Sequence, residues 1–383
     1  MHDANDNNRS VSRRRLLAAT GASGLAMAAG CLGGNGDGEN GNGDGENGNG
    51  DNGGSDEAGV SAAWIYFAEA DDAGWTSSHD SGRQATVEAL EDFEGDYTES
   101  VDAGNVQQTA SQYAEDGYDV IFALSAGFTD PMAAASEQYP DTAFEVASGI
   151  DTGPNYGSFY EKLYHARYLA GYAAGLVTEN GRIGYIAANP VATVYQDING
   201  FASGVQDAND DATVFVRWTN DWYDPPTEGE NAEALISDED VDVMVQHQDS
   251  PAAASMAADN GIWASGYAES AASSAGDNYL MTAVFNWEVA YMSIIEEARA
   301  GEWEAGYTYP GIAQGAVDVS DPGPRVPDDV VDEVMDIRED MMESDDVADG
   351  IVWEDTPYAE WSDEQILFES DSFVIDNIEG EEL

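Results

Sequence analysis

Short apolar runs alternate with segments of helical spacing along most of the chain. Such runs, rich in Val, Ile and aromatic residues, are typical of buried strands, and apolar residues three and four apart are typical of helices. This pattern predicts strands at 63–67, 97–101, 120–124, 143–147, 182–187, 213–218, 241–246, 262–265, 280–285 and 311–319. It predicts helices around 85–93 and at 107–115, 132–138, 159–177, 194–208, 227–236, 252–260, 286–300 and 330–342.

The order of these elements indicates the fold class. Strands that alternate with helices at this spacing imply parallel sheets with right-handed crossovers. The pattern restarts at residue 182, after the long helix predicted at 159–177, so that two α/β units of comparable length follow one another. We therefore predict an α/β protein with two doubly wound parallel-sheet lobes rather than one large sheet.

The stretch between the first strand and its helix is the first candidate for ligand chemistry. Trp75 lies in the predicted loop at the carboxyl end of that strand, where open α/β sheets bind ligands. Ser77, Ser78 and Asp80 follow it, and each has a side chain suited to accepting hydrogen bonds from the first turn of the helix. A tryptophan that only covers an edge of the core is equally compatible with this position.

The charge of the chain excludes one class of partner. The 383 residues include 76 acidic and 12 basic side chains, for a formal net charge of -64. A nucleic-acid-binding protein needs a basic face for phosphates, and this chain offers none. Because aromatic residues make up 10% and the apolar positions are patterned, the composition indicates a folded protein with an acidic surface. Such a surface favours a salt-rich habitat, where ions screen its self-repulsion.

The first 31 residues have the pattern of an export signal. Residues 12–17, Ser-Arg-Arg-Arg-Leu-Leu, open a twin-arginine signal, and 16–29 form a short apolar region of small residues. Small residues directly before Cys31 are similar to a lipobox, in which the thiol is lipidated and becomes the mature N-terminus. Cys31 is the only cysteine, so an intramolecular disulfide is excluded; a chance buried cysteine is the alternative interpretation.

Residues 32–58 are predicted to be a disordered acidic tether. From residue 33 to about residue 57 the chain consists almost entirely of Gly, Asn, Asp and Glu, and this stretch has no apolar residue that could form a core. Together with the signal, it predicts a folded domain that a lipid holds at the outer, extracytoplasmic face of the cell membrane.

Several motifs in the right order connect the rest of the chain to a known family. They are Asp72-Ala73-Gly74-Trp75, the small-residue stretch 168–175, the stretch Gly-Arg-Ile-Gly-Tyr-Ile-Ala at 181–187, and Phe201-Ala202-Ser203-Gly204. From about residue 60 to 319 the chain thereby resembles the basic membrane protein family of substrate-binding lipoproteins of ABC transporters, which includes PnrA-like proteins that bind purine nucleosides. With its acidic surface and export signal, the chain is similar to a haloarchaeal member.

A branch of this family that is thought to serve purine bases such as adenine is closer still. Its features here are Gly74-Trp75-Thr76 with His79-Asp80, Trp222-Tyr223-Asp224-Pro225, the stretch His-Gln-Asp-Ser-Pro at 247–251, and Asn286-Trp287. Nucleoside-binding members have an asparagine where this chain has Thr76, and use a later aspartate and a lysine for the ribose. This chain offers Glu269 or Ser270 there and has no lysine after Lys162, which favours a base without a sugar.

The resemblance implies the fold of type I periplasmic binding proteins, with two lobes, a three-strand hinge and the ligand in the cleft between the lobes. It assigns 59–166 and 284–318 to lobe I, 167–283 and 319–345 to lobe II, and 346–383 to a C-terminal extension. The implied function is capture of a purine base or nucleoside and its delivery to the permease and ATPase of an ABC importer. No enzymatic activity, cofactor or metal is expected.

Stacking and edge recognition select the candidate binding residues. A flat heteroaromatic ligand needs aromatic faces and a few matching polar groups. Aspartate accepts from N–H groups, and an amide forms a bidentate contact. The predicted ligand-binding residues are Trp75, Thr76, His79, Phe128, Ser148, Trp222, Gln248, Asp249, Asn286 and Trp287.

Other functions have weaker support in the sequence. His79, His247 and Asp249 are metal-ligand types but follow no recognised ligand spacing. The chain has neither a Gly-x-Ser-x-Gly elbow nor a phosphate loop, so a hydrolase acting on a small ring is the less favoured alternative. A ligand-sensing receptor lipoprotein of the same fold, without transport, would have the same sequence features.

We predict that Cys31→Ser releases the protein from the membrane into the medium, because the variant lacks the thiol that would carry the lipid. Membrane and medium fractions of cells that express the two forms would be compared by immunoblot. Equal membrane association of Cys31→Ser and the unsubstituted protein would contradict lipid anchoring.

Overall fold

The computed structural model describes residues 59–71, 74–91 and 93–380. The predicted export signal, the lipidation site Cys31, the tether at 32–58 and the motif residues Asp72 and Ala73 lie outside the described residues. Among the helices that are described, none combines the length and the apolar character that a membrane span requires.

The first half of the described chain builds one parallel sheet. Its strands and helices are β1 (Ser61–Ile65), α1 (Trp75–Ala89), β2 (Glu94–Thr98), α2 (Ala103–Asp116), β3 (Val120–Ala123), α3 (Thr129–Ser136), β4 (Ala143–Ala147) and β5 (Tyr156–Phe159). The strands pair in parallel, with Ala62 opposite Val120 and Val120 opposite Ala143. Every residue of β3 and β4 is buried, as expected for central strands covered on both faces.

The second parallel sheet follows directly. Its elements are α4 (Leu163–Val177), β6 (Arg182–Ala187), α5 (Ala192–Ala208), β7 (Thr213–Trp218), α6 (Pro225–Glu239), β8 (Val243–Gln246), α7 (Ala252–Asn260) and β9 (Trp263–Ser265). α4 and α5 pack closely because glycines allow it: a Cβ on Gly171 would lie 2.8 Å from the carbonyl carbon of Phe201, and one on Gly204 would lie 2.8 Å from the amide nitrogen of Tyr172.

The remaining elements return to both sheets. They are α8 (Ala272–Ala275), β10 (Ala283–Phe285), α9 (Glu288–Ala300), β11 (Tyr307–Thr308), β12 (Val317–Val319), α10 (Asp328–Met341), α11 (Asp345–Trp353), α12 (Asp363–Glu369) and β13 (Ile378–Glu379). β11 pairs with β5, so the first sheet has the order β11-β5-β4-β3-β1-β2. β13 pairs with β7, so the second has the order β13-β7-β6-β8-β9.

Three chain segments connect the two sheets. The first runs from β5 to α4, and the other two are β10 and β12, which pair with each other as an antiparallel ribbon. Lys162, in the first segment, forms ion pairs with Asp349 at 2.9 Å and Asp363 at 2.8 Å, so the C-terminal helices α11 and α12 are held against this crossing. The lobe boundaries predicted from the resemblance stay a prediction.

Most predicted elements overlap with elements of the structure, but several differ in their bounds; the helix predicted around 85–93, for example, is α1, which begins at Trp75. The helix predicted at 159–177 begins at Leu163, because Tyr156–Phe159 is a strand inserted between β4 and β11. Its sequence, Tyr-Gly-Ser-Phe, contains two poor strand formers, so that pairing rather than propensity determines it. The strand predicted at 311–319 begins at Val317, after the short 3₁₀ helix Ile312–Gln314, and the strand predicted at 97–101 lies at Glu94–Thr98.

Glu145 in β4 is a buried carboxyl that makes stability depend on pH. It is 2% exposed, and its Oε1 accepts a hydrogen bond from Trp303 Nε1 at 2.9 Å. Burial raises the pKa of Glu145 from 4.5 to about 8. Between these values the folded protein keeps a proton that the unfolded chain releases, so stability falls as pH rises through this window.

We therefore predict that the free energy of unfolding falls less steeply with pH in Glu145→Gln than in the unsubstituted protein. The difference in slope should be up to about 1.4 kcal/mol per pH unit between pH 5 and 8. Urea unfolding at constant salt would measure the free energy of unfolding of both forms at each pH. Glu137→Gln, on an exposed residue after α3, is the control and should keep the slope of the unsubstituted protein. An equal slope in Glu145→Gln would contradict the prediction.

Candidate ligand-binding site

The carboxyl edges of the two sheets face each other across a cleft. α1 begins at Trp75 after β1, and the segment after β8 carries His247, Gln248 and Asp249. The segment after β9 carries Tyr267. Since ligands bind outside the carboxyl ends of parallel strands, this cleft is the candidate site.

Carboxylates after β8 and β9 contact the first turn of α1 from across the cleft. The amide N–H of Trp75 donates to Asp249 Oδ1 at 2.8 Å, and that of Gly74 donates to Glu269 Oε2 at 3.4 Å. Ser77 Oγ donates to Glu269 Oε1 at 2.6 Å. The helix has Gly74 at its N-cap position and no side-chain cap of its own, so these contacts satisfy N–H groups that its own segment leaves free.

Two parts of the sequence-based account of this turn are corrected. Trp75 is the first residue of α1 rather than a loop residue. Ser77, Ser78 and Asp80 lie inside the helix and do not cap it. Ser78 Oγ donates to the carbonyl of Trp75 at 2.8 Å, and Asp80 accepts from the guanidinium of Arg83 at 2.8 Å.

Aromatic rings line the first sheet's side of the cleft and the hinge. The ring of Trp287 stacks on His79 at 3.9 Å and on Phe285 at 4.3 Å. Trp75 is half-buried, its Nε1 donates to the carbonyl of Leu124 at 3.0 Å, and its ring meets that of Trp287 edge-on at 5.2 Å. These contacts hold the indole of Trp75 in a defined orientation.

The second sheet continues the aromatic surface. His247 stacks on Tyr267 at 4.0 Å, and Tyr267 meets Phe285 edge-on at 6.2 Å. Trp222 lies 6.1 Å from His247 and is 42% exposed, so it lies at the outer end of this row. The ring contacts therefore run without a break from one side of the cleft to the other.

His79 and Thr76 lie on the buried side of α1. His79 is fully buried, its Nδ1 lies 2.6 Å from the hydroxyl of Tyr291, and Nε2 has no hydrogen-bond partner among the described residues. Burial lowers the pKa of His79 well below its usual value, so the ring is neutral at physiological pH. Thr76 is 3% exposed.

The other predicted site residues are spread more widely. Gln248 Nε2 donates to Thr219 Oγ1 at 2.7 Å, and its Oε1 is buried with no partner in the described part of the chain. Asn286 Nδ2 donates to the carbonyl of Gly315 at 2.7 Å and thereby supports the hinge. Ser148 follows β4 with a φ of 56°. Phe128 is buried in a separate core cluster with Val106 and Met132, and the structure does not bring it to the ring cluster around Trp75.

Four residues near the cleft have no role in the sequence-based account of the site: Tyr160, Arg167, Asp197 and Tyr267. Arg167 and Asp197 are fully buried, in α4 and α5. For Arg167, a charged residue within the mostly apolar helix α4 was the available signal. Tyr160 and Tyr267 carry no comparable signal, because an aromatic residue after a strand is most often part of the core.

The electrostatics of the cleft centre on Asp249. The pKa of Asp249 is raised to about 7, mainly by burial; the hydrogen bond from the Trp75 amide lowers it, and the charges of Glu228 and Glu269 raise it. The carboxyl therefore exchanges its proton close to neutral pH. No group of three or more His, Cys, Asp or Glu side chains in the described segments is arranged to hold a metal ion.

The family follows from comparison with known sequences. Residues 60–349 match the model of the Bmp family, described as ABC transporter substrate-binding protein, PnrA-like. The chain belongs to this family. Bmp proteins are substrate-binding components of ABC transporters, which work outside the cytoplasm, bind small molecules and partner with permeases.

Two relatives carry different ligand names. A putative ABC transporter glucose-binding protein of Haloferax volcanii is 40% identical over 98% of this chain and 99% of its own length. A purine-binding protein of Brucella abortus is 36% identical over 72% of this chain and 78% of its own length. This chain is thus similar both to a relative named for a sugar and to one named for a purine.

Solved structures confirm the predicted fold class. An ABC transporter solute-binding protein from Conexibacter woesei aligns with a TM-score of 0.64 at 18% identity, over 74% of this chain and 96% of its own. One from Aeropyrum pernix aligns with a TM-score of 0.61 at 16% identity, over 80% and 95%. The two parallel α/β sheets are those of the type I periplasmic binding fold.

We predict that Gly74→Ala opens the cleft of this Bmp protein. An added Cβ would lie 2.7 Å from Cα of Asp249, so the two sides could not approach as they do here. Small-angle X-ray scattering should show a larger radius of gyration for the variant.

Gly117→Ala is the matched control. Gly117 has a φ of +96°, close to the +88° of Gly74, but a Cβ there meets nothing within 4 Å. Both substitutions place an alanine at positive φ, with ψ -127° at Gly74 and ψ 20° at Gly117, and only Gly74→Ala should open the cleft. Identical scattering of both variants and the unsubstituted protein would show that this contact does not hold the cleft closed.

Proposed function

We propose that this protein captures a purine base or nucleoside in the cleft, at the outer face of the membrane, and delivers it to the permease of an ABC importer. One observation carries the proposal: an aromatic face and a carboxyl acceptor meet at Trp75. The half-buried indole belongs to the row of rings along the cleft, and the backbone amide of Trp75 donates to Asp249 from the other side at 2.8 Å.

The ring surface supports a flat, aromatic ligand. Stacking of a base on an aromatic side chain contributes about 1–3 kcal/mol and tolerates any base. Trp75, Trp222 and Tyr267 all belong to the row of rings along the cleft. A purine that enters the cleft would exchange water contacts for these faces.

The polar groups support recognition of a purine edge. Asp249, when ionised, would accept from a ring N–H or an exocyclic amine. Oε1 of Gln248, which has no partner in the described part of the chain, would be a second acceptor. A purine edge left without partners in a buried site would lose about 1–3 kcal/mol per group, so these acceptors favour ligands with matching donors. Asp249 would also couple ligand binding to closure of the cleft, because the same carboxyl accepts a hydrogen bond from the Trp75 amide at the start of α1.

The permease would recognise the closed conformation of the protein. The contacts of Asp249 and Glu269 with α1 exist only when the two sides approach. A ligand that bridges the rings on both sides would favour this state over the open one. Anchoring through Cys31 would keep the closed protein close to the permease.

We predict that Trp75→Ala weakens purine binding by about 1–3 kcal/mol, or one to two decades in affinity, because it removes one stacking face. Trp75→Phe should retain most of the affinity. Calorimetry in molar salt would compare adenine, guanine, hypoxanthine, adenosine and glucose.

Trp361→Ala is the control, since Trp361 packs on Tyr358 in the C-terminal region rather than in the ring cluster around Trp75. It should bind as the unsubstituted protein does. Binding of glucose alone, or equal purine affinity with and without the Trp75 ring, would overturn the proposal.

A further inference from the structure

Three charged or polar side chains converge at the carboxyl edge of the second sheet. Arg167 comes from α4, Asp197 from α5 and His247 from the segment after β8. Asp197 Oδ2 lies 3.9 Å from Arg167 Nε and 3.4 Å from His247 Nδ1. All three side chains are at most 1% exposed.

Their hydrogen-bonding capacity is largely unused. Both carboxylate oxygens of Asp197, Nε of Arg167 and Nδ1 of His247 have no hydrogen-bond partner among the described residues. A buried polar group without a partner costs roughly 1–3 kcal/mol, and a charged one costs more. Folded proteins therefore supply such groups with a ligand or an ordered water.

The guanidinium of Arg167 is fixed in place. Its Nη1 donates to the carbonyl of Gly266 and its Nη2 to that of Gln246, each at 3.1 Å. Both carbonyls belong to the ends of strands that border the cleft. Nε has no hydrogen-bond partner among the described residues, and it lies on the side of Asp197. The group is thus held rigidly with its free atoms close together.

The group lies next to the aromatic surface of the cleft. His247 stacks on Tyr267, and Tyr309 donates to Gln196 Oε1 at 2.6 Å, beside Asp197 in the chain. Burial, and after it the charge of Asp197, raises the pKa values of Tyr160 and Tyr309 well above the usual value, so these residues after β5 and β11 lie near Asp197. The free atoms therefore lie where the two sheets meet.

We propose that Arg167, Asp197 and His247 form a polar subsite of the cleft that binds the vicinal hydroxyl groups of a sugar ring. Hydroxyl groups both donate and accept, so two of them match the two carboxylate oxygens and the two adjacent nitrogens. The sugar is either the ribose of a nucleoside or a free hexose. In the first case the inference rests on the proposed function, with the base at Trp75 and Asp249.

This subsite changes the expectation for the ligand. The departures from nucleoside-binding relatives favoured a base without a sugar, since the chain lacks a later lysine. A free base at Trp75 would leave the Asp197 carboxylate and Nε of Arg167 without a hydrogen-bond partner among the described residues. A nucleoside would satisfy both ends of the cleft.

The test is calorimetry of Asp197→Asn with adenine, adenosine, 2′-deoxyadenosine and glucose. The unsubstituted protein should bind adenosine more tightly than adenine or 2′-deoxyadenosine. In the variant the affinity for adenosine should fall about tenfold or more, adenine should change little, and the difference between adenosine and 2′-deoxyadenosine should disappear. The thermal midpoint should be equal or higher, because a buried amide is easier to accommodate than a buried carboxylate.

Asp207→Asn is the control, at the other end of α5, where Asp207 accepts from the hydroxyl of Tyr168 at 2.7 Å. It should leave every affinity unchanged. Unchanged adenosine and glucose affinities in Asp197→Asn would overturn the subsite and leave the purine proposal intact. An equal loss of affinity for adenine and adenosine would have the same meaning, because the effect would not depend on the sugar. Glucose binding alone, lost in Asp197→Asn, would support the subsite and overturn the purine proposal. Binding of none of the four to the unsubstituted protein would overturn both.

Discussion

The first turn of α1 has no side chain of its own to cap it, and this constraint ties the two sheets together. Helix N-termini leave N–H groups that need acceptors. Here Gly74 occupies the N-cap position, and Asp249 and Glu269 reach it from the opposite side of the cleft. Anions are favoured at this end of a helix, so closure brings opposite partial charges together. The stability of the N-terminal turn of α1 therefore depends on whether the cleft is closed.

The same contact determines the environment of the aromatic rings and carboxyl groups in the cleft. In the closed state Asp249 is shielded from water, and its pKa rises to about 7, mainly through burial. The row of rings from Trp222 to His79 excludes water from the same region. Such an environment strengthens each hydrogen bond inside it and makes every unmatched polar atom costly. A ligand that supplies the missing partners would therefore be selected by chemistry rather than by shape alone.

The acidic surface leaves few positive charges, and several of them are used inside the fold. Lys162, the only lysine in the chain, is 3% exposed and joins the first crossing between the sheets to Asp349 and Asp363. The Lys162 ammonium and His165 are among the groups that hold the pKa of Asp349 at about 2, against the effect of burial. Arg167 is wholly buried beside the cleft. Positive charge is thus placed where the sheets join.

The amino-acid sequence by itself determined the local elements and the family. Apolar spacing depends on neighbours along the chain, so β4, β6, β7 and α7 have the bounds that their sequences predict. Tertiary structure decided what spacing cannot encode: that Tyr156–Phe159 is a strand, that Phe128 lies in a separate core, and that Arg167, Asp197 and His247 meet. These results depend on the pairing of Ser158 with Tyr307 and on packing between side chains that are far apart in the chain, such as Asp197 and His247. Such contacts form only when the sheets assemble, because no local preference specifies them.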